Sequence, residues 1–393
     1  MFDFDRIVER RGTHALKWDL IAKNSGITAA DAIPMWVADM DFPTAPGVTA
    51  ALERDAKLAT HGYYGDTGSW AEALAAWMAR RHDLTIDPKW VSQTPGIVSG
   101  LCMILQSHSA PGDEIVIFPP VYQVFRQVIV NNGRTALECP LIETDGRYHM
   151  NLDELRRRLT PKTKMVLFCS PHNPGGTAWS PAEIRALAEL CIERDLLLVS
   201  DEIHCDLVLG GAKHTPVLTA APAVADRLIT CVSATKTFNL AGAHVGALIT
   251  SNATLKRKLD AHIMACGLMV SNSFGMLATE AAWRTGDAWL DALLVYLTES
   301  RDFFDNEIAR IAPGARSMRL DATYLSWVDF SGTGQTPEQI ASILKDRCRI
   351  FASPGAQFGT GGGTSIRFNI ATPRPILRDA LSRLAEAFRG VNT

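Results

Sequence analysis

Short apolar runs alternate with amphipathic patterns through the middle of the chain. Runs bounded by turn residues predict buried strands at 114–120, 164–170, 196–202, 228–233 and 245–250. Between two of them, residues 181–195 place apolar side chains three and four positions apart, directly after Ser180, a good helix N-cap. Strands that alternate with helices in this way predict a largely parallel α/β sheet with helices on both faces.

The pattern changes near residue 286. From there the apolar spacing predicts, in order, a long helix (288–311), a strand (323–330), a helix (336–348), a strand (365–370) and a last helix (376–389). This succession predicts a smaller α+β domain over 286–393, beside a large domain over 46–285. Residues 1–45 are then an N-terminal segment that packs with the small domain.

Composition narrows the class of protein. The 393 residues are 47% hydrophobic and 21% charged, with a formal net charge of −3, so a basic surface for nucleic acid or an anionic membrane is not expected. No apolar stretch approaches the ~18 residues of a membrane span. Eight cysteines without a CxxC pair predict buried thiols in a reducing cytoplasm. These values are typical of a soluble cytoplasmic enzyme.

Polar side chains directly follow the predicted strands. They are an amide, an acid, an imidazole, a hydroxyl, a lysine and a phenol: Asn173, Asp201, His204, Ser233, Lys236 and Tyr122. Taken singly, each has an ordinary structural interpretation as a turn, a cap or a solvated side chain. Because ligands of open α/β sheets bind at the carboxyl ends of the strands, the set together predicts one shared site.

Other kinds of site fit the sequence less well. The Ser-x-x-Lys at 233–236 lacks the S-D-N and K-T-G partners of penicillin-binding serine enzymes. His204, Cys205 and Asp206 are consecutive, a poor spacing for metal ligands, and HExxH is absent. There is no GxxxxGK[ST], and GTGGGT (359–364) precedes a strand where a dinucleotide fingerprint would open a helix.

Several motifs carry a family resemblance over nearly the whole chain. TPG (94–96), PPVY (119–122), SPHNPGGT (170–177), SDEIHCDL (200–207), SATKTFNLAG (233–242) and SIRFNIATPR (365–374) have the order and spacing of the fold-type I pyridoxal-phosphate enzymes. Together with SDEIHCDL, MWVADMDFPTAP (35–46) and HGYYG (61–65) more closely resemble the MalY/PatB group of cystathionine β-lyases, within aminotransferase class I/II. The resemblance implies a seven-stranded, mostly parallel sheet in an α/β/α sandwich, pyridoxal 5′-phosphate as cofactor, and a homodimer with shared active sites.

The resemblance also implies roles around the cofactor ring. Lys236 would link covalently to the cofactor aldehyde and later move the substrate Cα proton, which requires a neutral amine and hence a lowered pKa. Asp201 would pair with the pyridinium nitrogen and keep the ring an electron sink. Asn173 and His204 would bond the phenolic oxygen, although many relatives have a tyrosine in place of His204. Tyr122 would stack on the ring and border the substrate.

The cofactor phosphate needs donors. The amides of Gly96, Ile97 and Val98, at a turn that opens a helix, would cradle it. The resemblance adds the hydroxyl of Ser233 and, from the neighbouring subunit, Tyr63.

The substrate carboxylate would be held by Arg367 as a bidentate fork and by the backbone near Ala38. Two positions depart from the pattern of relatives. His244 stands where typical aminotransferases have a phosphate-binding arginine, which favours a lyase and leaves His244 as a weaker phosphate contact. NIATPR (369–374) replaces the more usual N-I-G-C-P-R.

The activity implied is β-elimination from L-cystathionine or related cysteine S-conjugates, giving a thiol, pyruvate and ammonia, as in methionine and cysteine metabolism. An aminotransferase on the same cofactor is the main alternative, because both activities need the same residues. A third alternative, from another class, is a protein that binds a regulator, since one member of the group binds a transcriptional regulator.

Overall fold

The structure, a computed structural model, describes residues 2–268 and 272–389. In these ranges the strands are β1 (Ile33–Met35), β2 (Val91–Thr94), β3 (Glu114–Ile117), β4 (Thr135–Glu138), β5 (Ile142–Thr144), β6 (Arg147–His149), β7 (Thr163–Cys169), β8 (Leu197–Asp201), β9 (Leu228–Val232), β10 (Gly246–Ile249), β11 (Arg316–Ser317), β12 (Leu325–Asp329), β13 (Ile350–Pro354) and β14 (Ser365–Asn369). The α-helices are α1 (Leu16–Asp19), α2 (Ile21–Ser25), α3 (Pro46–Leu58), α4 (Thr67–His82), α5 (Ile97–His108), α6 (Val124–Asn131), α7 (Leu152–Arg158), α8 (Pro181–Glu193), α9 (Val217–Ala220), α10 (Ala234–Thr237), α11 (Ala253–Ala265), α12 (Ser273–Thr285), α13 (Asp287–Ile311), α14 (Pro337–Ser342) and α15 (Arg374–Arg389).

The larger sheet has seven strands in the order β2-β10-β9-β8-β7-β3-β4. All neighbours along β9-β8-β7-β3-β4 are parallel, whereas β10 is antiparallel to both β9 and β2. Parallel crossovers usually contain a full α-helix, whereas the 233–245 connection holds only the four-residue α10 and a short 3₁₀ turn. The expected seven-stranded, mostly parallel sheet is confirmed.

Both faces of this sheet are buried, as its uninterrupted apolar strands predict. Alternate side chains divide between two cores: Ile115, Met165, Leu167, Val199 and Ile229 face α5, α6 and α11. Their neighbours, such as Val116, Val166, Phe168 and Leu198, pack with α8 on the other face. The expected α/β/α sandwich follows from this period of two.

Helix α8 begins where its sequence predicts. Ser180 Oγ accepts a hydrogen bond from the amide of Glu183 at 3.2 Å, and Glu183 Oε2 accepts one from the amide of Ser180 at 2.9 Å. This reciprocal capping box satisfies backbone donors that the first helical turn leaves unpaired. The predicted N-cap is confirmed.

The second sheet has the order β1-β13-β14-β12-β11, in which the β1–β13 pair is parallel and the others are antiparallel. Its core side is covered by α13 and α15, whose buried residues include Phe304, Ile308, Leu377 and Leu381. Residues 33–35 thus pair with strands that lie more than 300 positions later. The domain division at 45/46 and 285/286 stays a prediction.

Two differences from the predicted elements are informative. The helix expected over 336–348 is α14 followed by a π-helical turn over 343–347. Strands β2 and β4 escaped prediction because their burial is incomplete and their apolar runs are short. None of the helices in the described ranges has the length and apolarity needed to cross a membrane.

Candidate active site

A cavity of about 730 Å³ lies where the carboxyl ends of β7, β8 and β9 face the second sheet. Its lining includes residues that were predicted separately from distant parts of the chain: Ala38, Gly96, Ile97, Val98, Tyr122, Asn173, His204, Lys236, His244 and Arg367. Asp201 is buried at the end of β8, close enough for its charge to act on Lys236. The strand-end rule therefore located the site.

Lys236 reaches the cavity from the short helix α10, directly after β9. Its Nζ donates a hydrogen bond of 2.7 Å to the carbonyl oxygen of Ala38. Burial lowers the pKa of Lys236 to about 8, the positive charge of Arg367 acts in the same direction, and the carboxylates of Asp39 and Asp201 oppose them. A substantial neutral fraction near neutral pH is what proton abstraction by an amine needs, and the expected lowering is present.

Asp201 is a buried acid with few partners. Among the described residues, its hydrogen bond is the one that Oδ1 accepts from the amide of Ile203, at 3.2 Å. The pKa of Asp201 is raised to about 7, mainly by burial. The charge of neighbouring Glu202 acts in the same direction, whereas the amide of Ile203 and the charge of Lys236 lower the pKa. A carboxylate so poorly solvated would gain strongly from a cation brought against it.

Arg367 extends from β14 of the second sheet and is 4% exposed. Its Nη1 donates to Asn173 Oδ1 at 3.0 Å, and its Nη2 donates to the carbonyl of Trp36 at 2.6 Å and to Ser353 Oγ at 3.3 Å. Its Nε is buried without a hydrogen-bond partner. Burial lowers the pKa of Arg367 to about 10.

These contacts argue against a purely structural role for Arg367 in a salt bridge. Within residues 2–268 and 272–389 no carboxylate forms an ion pair with it, whereas most other buried or half-buried arginines here pair with an acid. A buried cation whose remaining donor is free is suited to bind an anionic ligand.

His204 is 3% exposed and lines the cavity, and its Nδ1 has no partner. Burial lowers the pKa of His204 to about 3, and the positive charges of Lys236 and Arg367 add to this effect. The imidazole is therefore neutral at physiological pH, with one ring nitrogen free to bond a group in the cavity.

The end of the cavity near α5 resembles an anion site. Gly96 is the N-cap of α5 with φ of +84°, a conformation that favours glycine. The amides of Ile97 and Val98, and that of Ser99, belong to the first helical turn and have no acceptor within the helix. A side chain on Gly96 would lie 3.9 Å from Nδ1 of His244, which places that imidazole beside the same turn.

The predicted amide of Gly96 needs correction. Its N–H donates to the carbonyl of Thr94 at 2.8 Å, within the turn that leads into the helix, so it is not available to a phosphate. The amide of Ser99, in the same first helical turn as Ile97 and Val98, also has no acceptor within the helix, and Ser99 lines the cavity. The glycine contributes its backbone conformation and not its donor.

Ser233 is also used differently from the expectation. Its hydroxyl donates to the carbonyl of Val245 at 2.6 Å and accepts from the amide of Thr235 at 3.1 Å, as the N-cap of α10. Ser233 is absent from the lining, and the hydroxyl residue of the same loop that lines the cavity is Thr235, which the sequence argument missed. Its position next to Lys236, in the same loop, was the available signal.

Tyr63 lies outside this cavity. Its side chain is 99% exposed, in a surface hollow lined also by His61 and Asp66. Its predicted role depends on a second subunit, because within one chain it does not approach Lys236's cavity.

The segment 36–41 is a further part of the site that the sequence argument reduced to Ala38. Its carbonyls at Trp36 and Ala38 accept from Arg367 and Lys236. From behind, Asn369 Nδ2 donates to the carbonyls of Val37 and Asp39 at 2.7 and 2.8 Å. The rule that ligands bind at the carboxyl ends of the strands of an open α/β sheet does not predict these residues, because the segment follows β1, which belongs to the second sheet.

The polar groups of the cavity that have no hydrogen-bond partner match the groups of the expected cofactor. Unpaired polar atoms remain on His204 and Arg367, the first amides of α5 are free at one end, and Asp201 has unsatisfied acceptor capacity at the base. A phosphorylated, cationic heterocycle with an aldehyde would use each of them, with Lys236 as the amine.

Comparison with known proteins agrees with this geometry. The family model for aminotransferase class I and II matches residues 31–384. The cystathionine β-lyase PatB of Bacillus subtilis (strain 168) is 36% identical over 386 residues, covering 98% of this chain and 99% of PatB. The crystal structure of cystalysin from Treponema denticola, described as containing pyridoxal 5′-phosphate, is 29% identical with a TM-score of 0.96, covering 100% of both chains. Arginine–pyruvate transaminase AruH of Pseudomonas aeruginosa is 30% identical over 354 residues, covering 89% of this chain and 88% of AruH.

The fold is thus that of the fold-type I pyridoxal-phosphate enzymes, as the motifs implied. The chain belongs to the aminotransferase class I and II family, and its resemblance to the MalY/PatB group is confirmed.

Proposed function

We propose that the protein is a pyridoxal 5′-phosphate-dependent carbon–sulfur lyase that releases a thiol, pyruvate and ammonia from L-cystathionine or related cysteine S-conjugates. The observation that carries the proposal is a lysine of lowered pKa, Lys236, in one cavity with Arg367, a buried cation that has no acidic partner. Relatives named cystathionine β-lyase and C–S lyase support the same reaction.

Each residue has a task that its surroundings support. Arg367 holds the substrate carboxylate, and because Arg367 is held by Asn173 and Trp36 the position of Cα is set. Lys236, as the neutral amine, takes the Cα proton, and the same Nζ can return a proton to the departing sulfur. Asp201 would stabilise the positive charge on the ring nitrogen of the cofactor. The bound cofactor supplies the electron sink for the carbanion that loses the thiolate.

His244 favours elimination over transamination. The chain has a histidine where typical aminotransferases have an arginine on the phosphate, and the position faces the free end of α5. Transamination on an L-amino acid remains the second candidate function, supported by the transaminases among the relatives.

The deciding experiment is pyruvate release by the purified, cofactor-loaded protein with L-cystathionine and a panel of S-substituted cysteines. We expect pyruvate and free thiol in equal amounts without a keto acid. Lys236→Ala should lose turnover by about 10³-fold or more, because both the proton carrier and the covalent link are removed. Lys89→Ala, at an exposed position, should match the wild type. Absence of pyruvate combined with amino-group transfer to a keto acid would establish the aminotransferase.

A homodimer with shared active sites is part of the proposal. Tyr63 is almost fully exposed in a hollow that His61 also lines, and the His61 ring lies 5.3 Å from the exposed ring of Phe274. Exposed apolar surface of this kind is expected where a residue is offered to a partner subunit. Mixing the inactive variants Tyr63→Ala and Lys236→Ala should restore activity, because a mixed dimer would contain one site with both residues. No restoration, although mixed dimers form, would contradict the sharing.

The proposal also includes a cytoplasmic location and the binding of a regulator protein. A cytoplasmic location is supported by eight cysteines that are all free thiols. Binding of a regulator protein is tested by pull-down from cell extract with the loaded enzyme; a partner lost on saturation with substrate would support a second role.

A further inference from the structure

Several residues that line the cavity have no role in the proposed reaction. Lys236, His204 and Asn173 occupy the base, and α5 with His244 occupies the phosphate end. The other lining residues include Asn24, Trp36, Phe351 and Gln357, which we call the outer wall, and Trp36 adjoins Arg367 because its carbonyl accepts from Nη2 of that arginine. A substrate with its carboxylate on Arg367 must direct its side chain toward the space that is left.

The outer wall has an aromatic centre that the second sheet holds in place. The rings of Trp36 and Phe351 stack with centroids 4.9 Å apart and planes 29° apart. Trp36 directly follows β1, Phe351 lies in β13, and these strands pair in parallel with Pro34 opposite Phe351. The indole N–H of Trp36 donates to the carbonyl of Lys17 at 3.0 Å. The two rings are therefore positioned before any ligand arrives.

The polar residues of the outer wall are neutral. Asn24 and Gln357 carry amides, and of the described residues that line the cavity, those with a full charge from Asp, Glu, Lys or Arg are Lys236 and Arg367. Both of these are committed to the reacting end of the substrate. Among the residues that this chain contributes to the cavity, a charged group at the far end of the substrate would thus lose water without gaining an ion pair.

Building on the proposed lyase function, we propose that the outer wall is the subsite for the sulfur substituent and that it selects neutral, apolar or aromatic S-substituents. Such a group would bury its surface against Trp36 and Phe351, where aromatic contacts add to the gain from apolar burial. The distal ammonium and carboxylate of L-cystathionine would gain less. The preferred substrates are then cysteine conjugates of uncharged thiols.

The test compares four substrates in the pyruvate assay: S-benzyl-L-cysteine, S-methyl-L-cysteine, S-carboxymethyl-L-cysteine and L-cystathionine. We expect kcat/KM for the benzyl compound to exceed that for the carboxymethyl compound and for cystathionine by about tenfold or more. Trp36→Ala and Phe351→Ala should lower kcat/KM for the benzyl compound by about tenfold and for the methyl compound by less than about threefold. The ratio between variant and wild type cancels differences in the leaving thiol, and the backbone carbonyl of Trp36 that holds Arg367 is retained.

A binding measurement separates this inference from the reaction. 3-(Benzylthio)propanoate has the carboxylate and the substituent but no amino group, so it binds without turnover. By calorimetry, its Kd should rise about tenfold in Trp36→Ala, while the Kd of 3-(methylthio)propanoate should change little. If no substrate yields pyruvate but this difference is found, the lyase function fails and the subsite stands. If cystathionine is preferred, or if both variants affect all substrates equally, the subsite is wrong.

Discussion

Two buried aspartates, five positions apart, are treated in opposite ways. Behind the cavity, Asp206 accepts hydrogen bonds from Trp77 Nε1 at 2.9 Å and from Thr237 Oγ1 at 2.7 Å, and it lies 2.6 Å from His82 Nε2. Burial alone would raise the pKa of Asp206, but these contacts outweigh it and the pKa is lowered. Asp206 is a satisfied acid that ties α4 to the turn bearing Lys236.

Asp201, buried at the end of β8, has a single amide as partner and a pKa raised to about 7. The same contrast separates two arginines. Arg147 forms two hydrogen bonds of 2.8 Å with the carboxylate of Glu183, whereas Arg367 contacts neutral oxygens and keeps Nε free. Asp206 and Arg147 therefore support the structure through completed bonds, whereas Asp201 and Arg367 keep hydrogen-bonding capacity that a ligand in the cavity could use.

The contrast also bears on a metal interpretation of His82, Cys205 and Asp206, whose ligand atoms lie within 4.8 Å of one another. The Asp206 oxygens already accept from Trp77 and Thr237, and burial raises the pKa of the Cys205 thiol well above its usual range. Because the carboxylate of Asp206 already has these partners, we interpret the cluster as structural.

Among these two aspartates and two arginines, the largest expected effect comes from Asp201→Asn. An amide cannot stabilise a positive ring nitrogen as a carboxylate does, so kcat should fall by about 10³-fold. Steady-state pyruvate release measures it, with Asp226→Asn, an exposed acid, as the matched control. A loss below tenfold would remove Asp201 from the reaction.

Arg367→Lys is expected to reduce kcat/KM by about 10²-fold, mainly through KM, because a lysine cannot form the two-pronged contact with a carboxylate. Arg147→Lys should leave KM unchanged and slightly lower the melting temperature. An equal effect of the two variants on KM would contradict the proposal that Arg367 binds the substrate whereas Arg147 only pairs with Glu183.

Asp206→Ala should lower the free energy of unfolding by about 3 kcal/mol, because buried donors of Trp77 and Thr237 lose their acceptor. Urea denaturation of the loaded enzyme measures this loss. Stability equal to the wild type would show that the cluster behind the cavity is dispensable.

The two aspartates should also respond oppositely to pH in the cofactor-free protein. Because the pKa of Asp201 rises from 3.8 to about 7 on folding, its contribution becomes less favourable as pH increases through this window. The stability of Asp201→Asn relative to wild type should therefore increase between pH 5 and 7, by at most about 1.4 kcal/mol per pH unit.

For Asp206 the lowered pKa means that its stabilisation is present above 3.8 and is lost as pH falls through its folded value. Urea melts of both variants at several pH values test the pair of signs. A stability difference for Asp201→Asn that is flat from pH 5 to 7 would contradict the buried, unpaired state of Asp201.

Much of the sheet and its rim could be predicted locally. Asn173, Asp201 and Lys236 could be proposed because each lies at the end of a strand or within four residues of it, and such strands are visible in the apolar pattern. Gly96 and Ser233 show a limit of such local prediction, because in each a neighbouring carbonyl already accepts from the donor that was expected to bind phosphate. Motif position does not reveal which bonds a folded chain has already made.

The sequence by itself determined the elements of the larger sheet and the order in which reactive side chains leave it, because strand period, turns and caps act over a few residues. Only the tertiary structure decided which groups stay free. Arg367 meets Asn173 across 194 positions, and Lys236 meets the carbonyl of Ala38 across 198. Such contacts depend on how the two sheets pack, and that packing leaves Asp201, His204 and Arg367 with bonds to offer.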